Sequence, residues 1–352
     1  MKPSIVAREF SHVEIQIIVS QLCSGPVRLV AFNYLYGGLS TTTVKVKVVF
    51  HDREREMVLK IFYPNPASVE TFQNAMDICA FLADRGVPVA GPAAGRVVEM
   101  VTLPCGLRVP CFLITLIPNA VAGDVAVEQM GVSRTLVLDG MGRILGQIHS
   151  AEATSANLVS YTKGGAVELA RHIANEFMDE IASRGNQEFN ELYRSEQQLL
   201  TEPELFPIGL IHGDPFMDNF LLDKESLEVV GVVDFEDACV GPLIFDLGSA
   251  IAGSCFIAEL DGTYRLDFAA VHELLAGYMQ MRKLTPIEQS SIMKWARIAL
   301  LCNCTFRFLM YFGKSENSDA YRDLFDKIVY LRNNVAQIEE KMNSVLSEIV
   351  QQ

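Results

Sequence analysis

Apolar and polar side chains alternate with period two through Thr43-Val-Lys-Val-Lys-Val-Val-Phe50, which predicts a strand with one buried face. Val27–Tyr36 is rich in β-branched and aromatic residues and stops at Gly37-Gly38, a second strand. His-Asp-Arg-Glu-Arg over 51–55 reads as a polar turn, and Met57–Tyr63 resumes as a strand. Val97–Leu103 and Val109–Ile117 supply two more. Val69, Phe72, Ala75, Met76, Cys79 and Leu82 recur at helical spacing, so Ala67–Arg85 is expected to be a helix, closed by Gly86 and Pro88.

The pattern changes at Pro118-Asn119. Asp139–Ser150 and Gly165–Leu200 read as helices, the second broken near Gly185, and Leu210–Phe245 is an interruption of short strands and loops. Helices resume from Asp246, and Thr285-Pro286-Ile287-Glu288 marks one start with an N-cap threonine, proline at N1 and glutamate at N3. Leu324, Ile328, Leu331, Val335, Ile338, Met342, Val345 and Ile349 form a heptad stripe on one expected helix over 319–352. Such a stripe serves either docking on its own domain or a coiled-coil homodimer. The chain thus divides into a strand-rich part (1–113), a connecting segment (114–119) and a mainly helical part (120–352).

Composition narrows the possible partners. Of 352 residues, 29 are basic and 43 acidic, a net charge of −14 that repels phosphate backbones and anionic lipid heads. Neither nucleic acid nor a membrane is therefore expected as a partner. The eight cysteines form no CxxC pair and suit reduced, buried thiols of a cytoplasmic protein. The first residues lack a signal-peptide apolar block. The most apolar stretch, Ile244–Ala258, is too short to span a bilayer and carries Asp246.

The informative stretch is Ile211-His-Gly-Asp-Pro-Phe-Met-Asp-Asn-Phe-Leu-Leu222, followed by Val230-Gly-Val-Val-Asp-Phe-Glu-Asp-Ala238. Asp214 and Asn219 stand five residues apart, and Asp234 follows twenty after Asp214. Phosphoryl transfer needs a carboxylate to position or deprotonate the attacking hydroxyl, and oxygen ligands for Mg²⁺ on the nucleotide phosphates. The spacing parallels the protein-kinase pattern, so Asp214 is the candidate base and Asn219 and Asp234 are candidate metal ligands, expected to converge around one ion. Turn-forming preference alone explains any one of the three, but not the set between apolar strands. Only eleven residues separate Asp234 from Asp246, with no A-P-E motif. That leaves no room for a protein kinase's activation segment and points to a small-molecule acceptor.

The first third supplies candidates for holding ATP. Gly37, Gly38, Ser40 and Thr41 lie between two strands, where free amides and small side chains can cover phosphates. Lys60 sits among apolar residues of the next strand and must either snorkel or find a partner. Glu70, in the first turn of the following helix, is either that partner or a solvated first-turn acid. Ile114–Ile117, with Leu116, is where a hinge would offer backbone hydrogen bonds to adenine. His212 is expected to order the loop, and Asp246 to cap its helix or brace the loop.

His212-Gly-Asp-x-x-x-x-Asn219 with Val233-Asp-Phe-Glu-Asp-Ala238 and Phe245-Asp-Leu247 resembles the signature of the aminoglycoside phosphotransferase/choline kinase superfamily. That resemblance implies an α+β, bilobal protein-kinase-like fold, with a small antiparallel-sheet N-lobe carrying one main helix and a larger helical C-lobe. It also implies ATP and Mg²⁺ as cofactors. Within the superfamily the chain is most similar to bacterial-type homoserine kinases, through HGDPFMDN (212–219), Ser254-Cys-Phe256, Asp261-Gly-Thr-Tyr264, Leu274-Leu-Ala-Gly-Tyr278, Phe306-Arg-Phe308 and Tyr321-Arg-Asp-Leu324. The implied reaction is phosphorylation of L-homoserine. Choline, ethanolamine and aminoglycoside kinases are the alternatives, and a non-catalytic pseudokinase is the rival of another class. Thr41 stands where the superfamily has Asn, and Glu236-Asp237 where homoserine kinases have aromatics. Glu236 and Asp237 are thus candidates to face the acceptor. Arg307 is a candidate for a substrate carboxylate or, alternatively, for a salt bridge.

Overall fold

A computed structural model of the chain describes residues 9–23, 25–35, 41–62, 69–93, 99–151, 178–200, 206–313 and 318–351. It divides into two compact units. The first comprises Met1–Ala120 with Asp223–Glu225 and Val230–Glu236, and the second holds the rest.

The first unit begins with α1 (His12–Leu22), an element outside those expected from the hydrophobic pattern. Its signals were nevertheless present. Ser11 and Glu14 form a reciprocal capping box, and Ile15, Ile18, Val19 and Leu22 fall on one buried face. Five antiparallel strands follow: β1 (Val27–Leu35), β2 (Thr42–Phe50), β3 (Arg53–Ile61), β4 (Glu99–Thr102) and β5 (Arg108–Thr115), in the order β1-β2-β3-β5-β4. Helix α2 (Val69–Ala83) lies between β3 and β4 in sequence.

The expected five-residue turn at 51–55 is in fact two residues, His51 and Asp52, both left-handed, with Phe50 facing Arg53 across the hairpin. Arg53–Glu56 belongs to β3 because its charges are satisfied outside the core. Glu54 pairs with Lys47 and Glu56 with Lys45, at 2.7 and 3.0 Å. One sheet face presents Val44, Val46, Val48, Leu59, Ile61, Cys111 and Leu113 to α1. The opposite face carries Lys60 and Phe112, register partners on β3 and β5, with the Phe62, Phe72 and Phe112 rings gathered there.

The second unit is mainly helical. Its helices are α3 (Gly123–Met130), α4 (Arg134–Ser150), α5 (Met178–Ser183) and α6 (Gln187–Glu196), with Gly185 left-handed at the predicted break. Of the helix expected over Gly165–Leu200, residues 165–177 lie outside the described residues and Gln197–Leu200 forms a 3₁₀ turn. Strand β6 (Ile208–Ile211) is followed in the chain by β7 (Phe220–Asp223), by β8 (Val229–Val232), most of which belongs to the first unit, and by β9 (Cys239–Pro242). β6 pairs antiparallel with β9.

Then come α7 (Ile244–Ser254), the hairpin β10 (Phe256–Ala258) and β11 (Tyr264–Leu266), α8 (Phe268–Met281) and α9 (Pro286–Tyr311). The Thr285/Glu288 capping box opens α9 as the sequence requires. The single heptad helix is a correction. Two helices, α10 (Arg322–Asn333) and α11 (Val335–Gln351), meet at Asn334, whose side chain turns back to the Tyr330 carbonyl at 2.8 Å. Leu324, Ile328, Leu331, Ile338, Met342 and Val345 are buried in the chain's own packing, while Val335 at the break is exposed.

Candidate active site

The second unit holds the loop that carries Asp214. β6 delivers His212, fully buried, to the start of α7, where the Asp246 carboxylate waits, also fully buried. Asp246 Oδ2 accepts the His212 N–H at 2.6 Å and Oδ1 accepts the Gly213 N–H at 2.9 Å. The α7 N-cap, Leu243, makes no side-chain bond, so Asp246 braces the loop rather than capping its helix. Gly213 has φ +87°, and a Cβ there would overlap the Asp237 carbonyl. Only glycine satisfies both conditions.

His212 Nδ1 receives the Asp214 N–H at 3.3 Å, which places the imidazole proton on Nε2. Asn219, buried and set by a short 3₁₀ turn (Met217–Asn219), closes the loop. Its Nδ2 donates to the Asp214 carbonyl at 2.8 Å and to Asp214 Oδ2 at 3.3 Å. Asp214 is therefore a half-buried carboxylate held by its own loop. Because the Asn219 amide nitrogen is turned to Asp214, its Oδ1 is left as the acceptor end, the chemistry a hard divalent cation requires.

Behind the loop lies a buried chain that sequence reasoning did not find. His149, at the end of α4, donates or accepts at both ring nitrogens, to Asp246 Oδ2 at 3.0 Å and Tyr278 Oη at 2.8 Å. Arg282 Nη1 donates to the same Tyr278 oxygen and to Glu288, each at 2.9 Å. The only signal in the sequence was a lone histidine among the apolar residues of α4.

The first unit holds Lys60, Asp234 and Glu236 together. Lys60 Nζ is almost wholly buried and bonds both Asp234 Oδ1 and Glu236 Oε1, the latter at 2.6 Å. Burial alone would push the lysine down, but the two carboxylates hold it well above its ordinary value. Glu236 is shifted up, because burial and the negative charge of Asp234 outweigh its share of the one ammonium. Asp234 has φ +67°, a left-handed conformation that costs a non-glycine residue about 1–2 kcal/mol. The three groups border a recess lined also by Met76, Cys79 and Ile114.

Glu236, expected to face the acceptor, instead takes the lysine. Glu70 lies in the first turn of α2, and its side chain is outside the described residues, as are Gly37, Gly38 and Ser40. Thr41 and Leu116 are half-buried. In the hinge segment the Thr115 N–H is already bonded to Gly91 O at 2.8 Å. In the second unit Asp237 is exposed. Arg307, considered for a substrate carboxylate, is paired instead with Asp323 and the Ala320 carbonyl, both at 3.2 Å, and so bridges α9 to α10. Among the described residues no three His, Cys, Asp or Glu side chains gather as a metal cluster. Mg²⁺ carried on a nucleotide needs only one or two protein carboxylates besides phosphate and water; the Asp234 carboxylate in the first unit and the Asn219 amide oxygen in the second are each oxygen donors of the type it takes.

Comparison with known proteins decides the family. Residues 35–284 match the model of the phosphotransferase enzyme family. The chain belongs to that family. It is 28% identical over 243 residues to a homoserine kinase of Methylobacillus flagellatus, covering 66% of this chain and 67% of the relative. It is 28% identical over 249 residues to one of Caulobacter sp., covering 68% and 70%. Two solved structures share its fold. One is the choline kinase of Cryptosporidium parvum (TM-score 0.62, 11% identity, 94% of this chain and 99% of that one). The other is a microcompartment-associated aminopropanol kinase (TM-score 0.59, 15% identity, 92% and 98%). Among the described residues of this phosphotransferase, no helix is long and apolar enough to cross a membrane.

Proposed function

We propose that this phosphotransferase is an ATP- and Mg²⁺-dependent kinase of L-homoserine, forming O-phospho-L-homoserine. The observation that carries the reading is the loop, in which Asp214 is pinned by Asn219 and, through two backbone amides, by the buried Asp246. Kinases that act on free hydroxyls need one positioned carboxylate and little covalent machinery. The acceptor oxygen bonds the γ-phosphorus, the bond from that phosphorus to the β,γ-bridging oxygen breaks, and ADP leaves with the electron pair. The hydroxyl proton passes to the Asp214 carboxylate.

Asn219 and Asp234 are the residues to hold Mg²⁺, which when bound offsets charge on the phosphates. Lys60 serves the α/β-phosphates, with Gly37, Gly38, Ser40 and Thr41 over them, Glu70 in support and Leu116 beside the base. In the structure Lys60 is engaged by Asp234 and Glu236. ATP binding therefore exchanges one carboxylate for phosphate oxygens on the same ammonium. The homoserine kinase relatives support the choice of acceptor.

The test is ADP release with homoserine, choline, ethanolamine, hydroxylysine and an aminoglycoside. Homoserine should exceed the others in kcat/KM, and Asp214→Asn should lower kcat by at least about 10³-fold while ATP still binds. Homoserine giving no more ADP than buffer ends the acceptor assignment. No ADP with any acceptor ends the kinase reading in favour of a non-catalytic module.

A further inference from the structure

An enzyme with a net charge of −14 that takes an amino acid must hold the acceptor's carboxylate against its own field. The second unit contains cations grouped at one place. Lys327 on α10 is 8% exposed, yet among the described residues no carboxylate reaches ion-pair distance of its ammonium. Its hydrogen bond is a long one, 3.4 Å to the Ala252 carbonyl. The rings of Phe256 and Tyr264 flank the charge, with centroids at 5.3 and 5.2 Å. Arg134 Nη1 is fixed at 3.1 Å on the Phe256 carbonyl. Burial pushes Lys327 below its ordinary value. Asp323 pulls it back, while Arg307 and Arg134 push it further down. Arg307 is neutralised by Asp323, so Lys327 and Arg134 are the two cations of the group without a carboxylate partner among the described residues.

This cationic group adjoins the loop of the proposed base. Ala252, which receives the lysine, precedes Gly253 in the last turn of α7. The Phe216 ring lies so close over Gly253 that a Cβ there would overlap it. Phe216 is two residues from Asp214 and donates its N–H to the Asp214 carbonyl at 2.9 Å.

We propose that Lys327, with Arg134 beside it, is the subsite that receives the carboxylate of the acceptor. The inference rests on the homoserine reading, and one acceptor pair separates the two. 3-Amino-1-propanol is homoserine without its carboxylate. Wild-type protein should prefer homoserine by about tenfold or more in kcat/KM. Lys327→Met should lower homoserine kcat/KM about 100-fold, mainly through KM, and leave 3-amino-1-propanol within about twofold, while Lys327→Arg keeps the preference. Arg134→Gln, at a half-buried site, should cost homoserine about tenfold and carries the test should Lys327→Met not fold.

Equal losses for both acceptors would make Lys327 a structural residue and overturn the proposal, as would an unchanged homoserine KM in Lys327→Met or, where that variant does not fold, in Arg134→Gln. Equal turnover of the two acceptors by wild type overturns the subsite but leaves the kinase. Turnover of neither overturns the homoserine reading, and the subsite with it.

Discussion

Replacing Asp246 with Asn tests whether the loop is held by charge or merely by shape. The carboxylate accepts three bonds, from His212 N at 2.6 Å, Gly213 N at 2.9 Å and His149 Nε2 at 3.0 Å, with no exposure to water. Asn has the same outline but one acceptor oxygen. Turned to keep His212 and His149, it aims its NH₂ at the Gly213 N–H, donor against donor. Turned the other way, it loses the remaining two. Bonds to a charged group contribute about 1.5–3 kcal/mol and neutral ones about 1, while a buried donor left unpaired costs about 1–3 kcal/mol. One bond lost to an opposed donor and two weakened ones therefore sum to about 3 kcal/mol or more. For a unit of this size, that corresponds to a fall in Tm of roughly 6–12 °C.

The assay pairs a thermal melt with steady-state turnover. The melt should fall by that amount, and kcat should drop at least about tenfold at unchanged KM for ATP, since the perturbation reaches Asp214 through the 212–213 backbone. A melt within about 1 °C of wild type, with kcat within about twofold, would refute the claim that this carboxylate's charge holds the loop.

Gly213→Ala should lower kcat by about tenfold or more and the melt by several degrees, because a left-handed alanine costs about 1–2 kcal/mol and its Cβ must displace the Asp237 carbonyl; wild-type activity would mean the loop is not constrained there. Glu236→Gln tests the buried trio through pH. The folded state raises the Glu236 carboxyl above its ordinary range near 4.5, so the folded protein binds the extra proton. The stability that this shift contributes is full below about pH 4.5 and is lost as pH rises through the folded value. The glutamine variant should therefore gain in Tm relative to wild type as pH climbs through that window, and a constant difference would refute the shift.

The legible parts of the chain were those where one residue type answers one physical demand. Period-two alternation located β2, and the Thr285/Glu288 box located the start of α9. The Asp214–Asn219 interval is short enough to be set by local backbone alone, and the structure joins the two residues. The start of β3 is not legible locally, because Arg53–Glu56 has the composition of a turn and its strand partners Lys45 and Lys47 lie across the hairpin. Long-range partners were the least legible. Lys60 reaches carboxylates more than 170 positions away, and nothing local distinguishes Glu236 as its companion from Glu70. His149 is equally opaque, since its meaning comes from Asp246, nearly a hundred residues further on. The heptad stripe is apolar as the pattern predicts but not continuous, because the side-chain return of Asn334 between α10 and α11 carries no signature in the hydrophobic pattern.

Helix α1 has a practical consequence. It lies wholly upstream of residue 35, where the match to the family begins. Yet Ile15, Ile18, Val19 and Leu22 are the lid on the valine-rich side of the five-stranded sheet. Anyone trimming the polypeptide to its recognisable portion would uncover a broad, sticky β-surface, the kind that recruits its own copies into aggregates. The least family-like stretch of the N-terminal unit thus shields its apolar sheet face, and expression work should leave residues 9–23 in place.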